Sequence, residues 1–323
     1  MAERKLMPYG WLRPLGTLAF VIVLATVFSP RNADGRLLFW GAENLANVLR
    51  QISDIGILAM GMTLVIIGGG IDLSVGSLLA LSCTIFALVF TKNEAGWAPA
   101  VGVFLAVATT SAFGLAAGSL VSWLRLQPFI VTLAVMIGSR GFAKWLVGNA
   151  TIAVGYDDRT QPVVAFIGQK PFVVSTFLLV TVLALILLNG TRFGRYLMAV
   201  GGSEDAARLS GINVHGVKIR VYLFSGFIAG VAGVLYCCET HQGDPKAGMA
   251  YELDAIAAAV IGGTSLSGGK GGIFGTFVGA LVLGILSNVL GLNNVDENVQ
   301  WMLKAVIIIV AVWLQLVGTK RTA

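Results

Sequence analysis

Apolar runs close to the length of a bilayer crossing recur from one end of the chain to the other. They cover residues 55–69, 73–90, 98–124, 129–147, 172–188, 221–238, 272–290 and 299–317. About 20 such residues carry a helix across roughly 30 Å of hydrocarbon. Lipid offers nothing to backbone N–H and C=O groups, so only helices or a closed barrel can span it. These runs lack the strict alternation of barrel strands and are read as helices. A first run, 11–28, and a shorter one, 256–262, bring the expected bundle to about ten transmembrane helices. The expected fold is an all-α polytopic membrane protein with glycine-broken helices. Composition excludes a soluble alternative: 56% of the 323 residues are hydrophobic and 12% are charged, where a soluble domain carries roughly 25% charge.

The first run follows Arg4 and Lys5, as a secretory signal would, but no small-residue cleavage site follows Phe28. It is read as an uncleaved first helix. With the N-terminus in the cytoplasm, most Lys and Arg residues fall inside, among them Arg4, Lys5, Arg13, Arg192, Arg195, Arg208, Lys218, Arg220, Lys320 and Arg321. That bias agrees with the positive-inside tendency and puts both termini in the cytoplasm. The net charge of +6 therefore speaks to orientation rather than to a nucleic-acid partner. No polar segment is long enough for a soluble domain, so residues 1–323 form one transmembrane domain. Two connections stand out: an external one, 148–171, containing the turn-rich GYDDRTQP, and a cytoplasmic one, 189–218.

MTLVIIGGGIDLSVGS, from Met62 to Ser77, places a carboxylate and three glycines between two apolar runs. Asp72 would cost about 3 kcal/mol at the centre of a lipid-facing helix, so it belongs in a break, near an interface or against protein and water. Gly68, Gly69 and Gly70 make that break accessible. Asp72 can then cap the next helix by accepting its free N–H groups, the reading preferred over direct substrate contact. Ser74 and Ser77 can bond neighbouring helices or line a wet path. The stretch LVIIGGGIDLSVG is echoed by AVIGGTSLSGG, residues 259–269. Glycine interruptions at matching places in two halves of a transporter point to a substrate path.

Within 189–218, Ser203 is a good N-cap, Glu204 and Asp205 suit the positive end of a helix dipole, and Gly211 is a natural stop. This predicts a two-turn helix over 204–210, either an ordinary surface helix or one that a cytoplasmic motor grips. GGTSLSGGKGGIFG, from Gly262 to Gly275, fails the phosphate-cradling pattern, because Thr264 replaces its first glycine and Gly271 its hydroxyl residue. It reads as a flexible turn. Cys83, Cys237 and Cys238 form no disulfide framework or metal spacing and read as small apolar filling. His215 and His241 have no partner at catalytic or metal spacing. Arg140 can snorkel, and like Asp54, Asp254 and Lys304 it is an intramembrane charge open to function, to mutual pairing or to pairing with backbone.

Taken together, GMTLVIIGGGIDLSVGSLLAL, TRFGRYLMAVGGSEDAARLSGINV, YELDAIAAAVIGGTSLSGGKGGIFGTFVGALVLGIL and LKAVIIIVAVWLQ resemble the permease subunit of bacterial ribose-type monosaccharide ABC importers. The resemblance covers most of the chain between Asn44 and Gln315. It implies a multi-pass protein of the bacterial inner membrane, working as a homodimer with a cytoplasmic ATP-binding subunit and a periplasmic sugar-binding protein. It further implies no enzyme activity and no cofactor in this chain, ATP and Mg being bound by the partner ATPase. The loop expected to dock that ATPase carries Ser203, Glu204, Asp205, Ala207, Arg208 and Gly211. Pathway and gating residues are expected at the two breaks: Gly69, Gly70, Asp72, Ser74, Ser77, Thr264, Ser265 and Ser267. Two rivals are an ion-driven secondary sugar transporter, which could use Asp54, Asp72 and Asp254, and an intramembrane enzyme, for which no clustered acidic or metal-ligand face exists.

Overall fold

The computed structural model describes residues 12–92 and 98–320. Arg4, Lys5 and Arg321 lie outside the described residues, as do the side chains of Arg13 and Lys320. The chain folds into helices α1 (Leu12–Val27), α2 (Ala42–Ile67), α3 (Val75–Lys92), α4 (Ala98–Trp123) and α5 (Pro128–Leu146). After strand β1 (Ile152–Ala153) and α6 (Gln161–Ile167), α7 (Lys170–Leu185) ends in a π-helical turn, Ile186–Gly190. Then come α8 (Arg192–Gly202), α9 (Glu204–Leu209), α10 (Val214–Thr240), strand β2 (Gln242–Gly243), α11 (Tyr251–Ile261), α12 (Ile273–Leu292) and α13 (Glu297–Lys320). The all-α membrane class stands.

Among the described residues, seven helices are long and apolar enough to cross a membrane: α2, α3, α4, α5, α7 with its π turn, α10 and α12. The count of about ten was a loose one. The 256–262 run belongs to α11, whose 11 residues reach about 16 Å, half of the hydrocarbon thickness.

Helices α2, α3 and α10 are buried on most sides and form the inner layer, whereas α4 and α5 bury little of their surface. The outward face of α4 carries Phe104, Leu105, Leu115 and Leu120, as expected where lipid replaces water. Its inward face is a stripe of small residues every fourth position: Ala98, Gly102, Ala106, Thr110, Gly114, Gly118 and Ser122. Small stripes let helix backbones approach closely in lipid, where packing replaces the hydrophobic effect as the adhesive. A methyl group on Gly114 would lie 3.2 Å from Gly226 Cα of α10 and nearer still to the Tyr222 carbonyl. Gly114→Leu is therefore expected to cost about 1–3 kcal/mol through overpacking, read as a lower thermal midpoint in detergent. Leu115→Ala, on the exposed side of the same turn, should leave the midpoint nearly unchanged.

Polar side chains add local ties between helices. Thr63 and Thr276 hydroxyls lie 2.6 Å apart between α2 and α12, and Ser82 Oγ donates to the Gly230 carbonyl at 2.6 Å. Asn44 and Asn288 exchange amide hydrogen bonds of 3.0 and 2.9 Å.

The 148–171 connection is more ordered than its polar sequence suggests. β1 pairs antiparallel with β2, Ile152 facing Gly243, and Val154 and Val164 are buried with Phe86 and all three cysteines. Those cysteines are free and buried, in keeping with apolar filling. Asp157 accepts the Thr160 hydroxyl at 2.7 Å and the Thr160 N–H at 2.8 Å. These bonds hold its carboxyl below the usual carboxylate range.

Candidate transport site

The two glycine breaks close in the same way. Gly68 and Gly262 cap α2 and α11, and Gly69 and Gly263 follow with φ of 80° and 89°. Gly69 N–H donates to the Ile66 carbonyl (2.9 Å) and Gly70 N–H to that of Val65 (3.0 Å). In the second break, Gly263 N–H donates to Val260 (2.8 Å) and Thr264 N–H to Ala259 (2.9 Å). This paired closure satisfies the last carbonyls of a helix through a left-handed residue that glycine adopts without strain. The sequence echo is thus a conformational one.

The breaks also meet each other, and a third glycine turn joins them. Gly269 N–H donates to the Ile67 carbonyl at the end of α2, at 2.8 Å. Gly201, near the end of α8, fills the same corner: a methyl group there would lie 2.7 Å from Gly269 N and closer still to the Ile67 oxygen. A methyl on Gly268 would lie 3.1 Å from Gly69 Cα, and one on Gly269 2.7 Å from Gly202 Cα. Three turns distant in sequence therefore share one junction in which backbone touches backbone.

Asp72 stands beside this junction, 1% exposed. Its Oδ1 accepts the Ser74 N–H (3.0 Å) and hydroxyl (2.5 Å), and its Oδ2 accepts the Ser225 hydroxyl of α10 (2.7 Å). The carboxylate thus caps the approach to α3 and ties it to α10. Ser77 Oγ donates to the Ser74 carbonyl at 2.8 Å and accepts from Ser139 of α5 at 2.7 Å. Thr264 is fully buried, Ser265 half-buried and Ser267 exposed. The Gly262–Gly275 turn spends its N–H groups inside the protein: Ser265 N–H on Lys270 and Gly268 N–H on Ser265, each at 3.0 Å.

Gly202 leads directly into α9. Ser203 Oγ accepts the Ala206 N–H at 3.3 Å, and Ser210 is the C-cap, so the helix ends one residue before the expected Ser210. Gly211, at φ 78°, closes it by donating to the Arg208 carbonyl at 3.0 Å. Glu204 pairs with Lys218 and fastens α9 to α10, while Asp205 and Arg208 sit 3.9 Å apart on the surface. Ala207 is buried beneath the helix. Leu209, absent from the expected residues, is 91% exposed at the tip. Its signal was an isolated large apolar side chain in a short, polar, well-capped helix. Gly201, Gly202 and Ser225 were also missed, because their role lies in contacts with segments far away in sequence.

Buried Asp54 leaves its Oδ1 without a hydrogen-bond partner among the described residues, whereas other intramembrane charges have protein partners. Lys304 Nζ bonds Asp254 at 3.1 Å and Arg50 bonds Glu239 at 2.7 Å. Arg140 pairs with backbone: its guanidinium donates to the Pro245 (3.1 Å) and Ala247 (2.5 Å) carbonyls, bonds that water would otherwise have to supply. His215 Nδ1 lies 2.8 Å from Ser122 Oγ. Among the described residues no His, Cys, Asp or Glu group of three or more could hold a metal ion.

A lipid-matched bundle with two half-broken helices meeting below a projecting, capped helix defines a multi-pass membrane permease. The family described as the branched-chain amino acid transport system / permease component matches residues 44–312, and the chain belongs to it. The ribose import permease protein of Escherichia coli is 40% identical over 316 residues, covering 97% of this chain and 96% of that one. Its Bacillus subtilis counterpart is 39% identical, covering 94% and 93%. The xylose transport system permease protein of Escherichia coli is 31% identical, covering 97% and 95%. No solved structure matches.

Proposed function

We propose that this chain is the membrane-spanning permease of an ATP-driven, binding-protein-dependent importer that carries ribose or a related monosaccharide across the bacterial inner membrane. The observation that carries the reading is the near full-length likeness, at 40% identity, to a ribose import permease. In this reading two copies enclose the route, both termini are cytoplasmic, a periplasmic binding protein delivers the sugar, and a separate ATPase subunit binds ATP and Mg.

The ATPase grips the surface of α9 formed by Glu204, Asp205, Arg208 and Leu209, with Ser203, Ala207 and Gly211 holding its shape. A displacement of α9 passes one residue along the chain to Gly202 and reaches the ends of α2 and α11 through backbone contact. It also reaches α10 through the Glu204–Lys218 pair and the Asp72–Ser225 bond. Gly69, Gly70, Asp72, Ser74, Ser77, Thr264, Ser265 and Ser267 are the gating set around that junction. ATP binding to the partner then biases an equilibrium between outward-open and inward-open arrangements.

The test is uptake of radiolabelled ribose by cells that lack their own ribose permease and express this chain. Uptake should be restored and be competed by unlabelled ribose, with xylose a weaker competitor. Restored uptake of a branched-chain amino acid in place of any sugar would overturn the assignment.

A further inference from the structure

A cleft of about 470 Å3 opens on the outer surface of the bundle, between α10, α4, the π turn that ends α7, and α8. That volume falls in the range of ligand clefts, roughly 300–1,000 Å3. One wall is a single stripe of α10, Arg220, Leu223, Phe224 and Phe227, at the i, i+3, i+4 and i+7 spacing of one helix face. Ser111 and Leu187 face it from α4 and the π turn. Every lining side chain except Arg220 and Ser111 is apolar.

The stripe is graded along the membrane normal. Arg220 lies six residues into α10, about 9 Å from its start, and Phe227 lies roughly 10 Å deeper. Arg220 is exposed and, among the described residues, its guanidinium has no hydrogen-bond or ion-pair partner. Phe193, at the start of α8, adds a further apolar side chain to the lining. A cationic mouth over an apolar slot, within the hydrocarbon-facing surface, complements one class of molecule: an anionic amphiphile. The π turn in the wall is a second mark, since such turns are frequent at functional sites.

We infer that this cleft binds an anionic glycerophospholipid, its phosphate on Arg220 and one acyl chain along Leu223, Phe224 and Phe227. The site is independent of which solute the protein carries. Its lining includes Phe193 of α8, so its occupant braces the helix that leads into the α9 grip.

The test is native mass spectrometry of the purified full chain titrated with phosphatidylglycerol and, separately, phosphatidylcholine of the same acyl composition. Phosphatidylglycerol should be retained more tightly. Arg220→Gln should weaken its retention about fivefold, the effect of one basic residue at a lipid surface, whereas Arg220→Lys should keep most of it. Ser111→Trp fills the slot with the charge intact and should remove retention of both lipids, while a monodisperse elution profile verifies folding. Equal retention of the two lipids, unchanged in Arg220→Gln, would overturn the proposal. So would glycerol phosphate competing as well as the whole lipid, or efficient disulfide linkage of two copies through Phe227→Cys in membranes, which would make the cleft a contact between permeases.

Discussion

Gly201→Val is expected to cut uptake by about tenfold or more while leaving membrane insertion intact. The first methyl group has nowhere to go: Gly269 N stands 2.7 Å from its place, with the Ile67 carbonyl closer. Both neighbours are backbone, so neither can swing aside as a side chain would. The remaining response is to part the three turns, and because backbone must move, the upper part of the usual overpacking cost of about 1–3 kcal/mol applies, roughly tenfold or more in a conformational equilibrium. The adjacent residue supplies the control. A methyl group on Gly202 meets nothing within 4 Å, so Gly202→Ala should transport nearly as the parent does. Equal loss in both variants would mean that glycine content, rather than contact at the junction, matters there.

Leu209→Asp is expected to weaken association with the partner ATPase by roughly thirtyfold. A leucine side chain passing from full exposure to burial contributes about 2 kcal/mol, and each 1.4 kcal/mol is tenfold in affinity. At 91% exposed, Leu209 has nearly all of that burial still to gain. The α9 fold does not depend on it, since the helix is held by the Ser203 and Gly211 caps and by Glu204–Lys218. Asp205→Ala and Arg208→Ala should reduce binding less, because their pair is exposed and exposed pairs contribute little. Affinity can be read by titrating the labelled ATPase onto the permease in nanodiscs. Unchanged affinity in Leu209→Asp would remove the tip of α9 from the interface.

The sequence exposed the bundle through the length of its apolar runs, and it exposed α9 through cap chemistry that acts within a few residues. Ser203, Gly211 and the acidic first turn are local signals, so their reading needed no tertiary context. The likeness of LVIIGGG to AVIGGT was visible too, and it proved to be one hydrogen-bonded closure used twice. Their meeting was not legible, because Gly201, Gly268 and Gly269 look like ordinary turn residues until Ile67 is placed against them. Asp72 was legible as a cap but not as a link to Ser225, which lies inside an apolar stretch of α10. Backbone pairing of Arg140 was open in the sequence, but its partners were not, because only the fold brings the Pro245 and Ala247 carbonyls beside it. The 11-residue length of α11 was hidden because the apolar pattern resumes after the break.

The central claim is that this bundle is moved by a nucleotide spent on another subunit, through α9. Uphill uptake in proteoliposomes tests it most directly. The chain reconstituted alone should not accumulate ribose, with ATP or with an ion gradient. Adding the ATPase with ATP and Mg inside, and the loaded binding protein on the opposite side, should produce accumulation that Leu209→Asp sharply reduces at limiting ATPase. Accumulation by the chain alone, collapsing with an ion gradient and indifferent to ATP, would contradict the account.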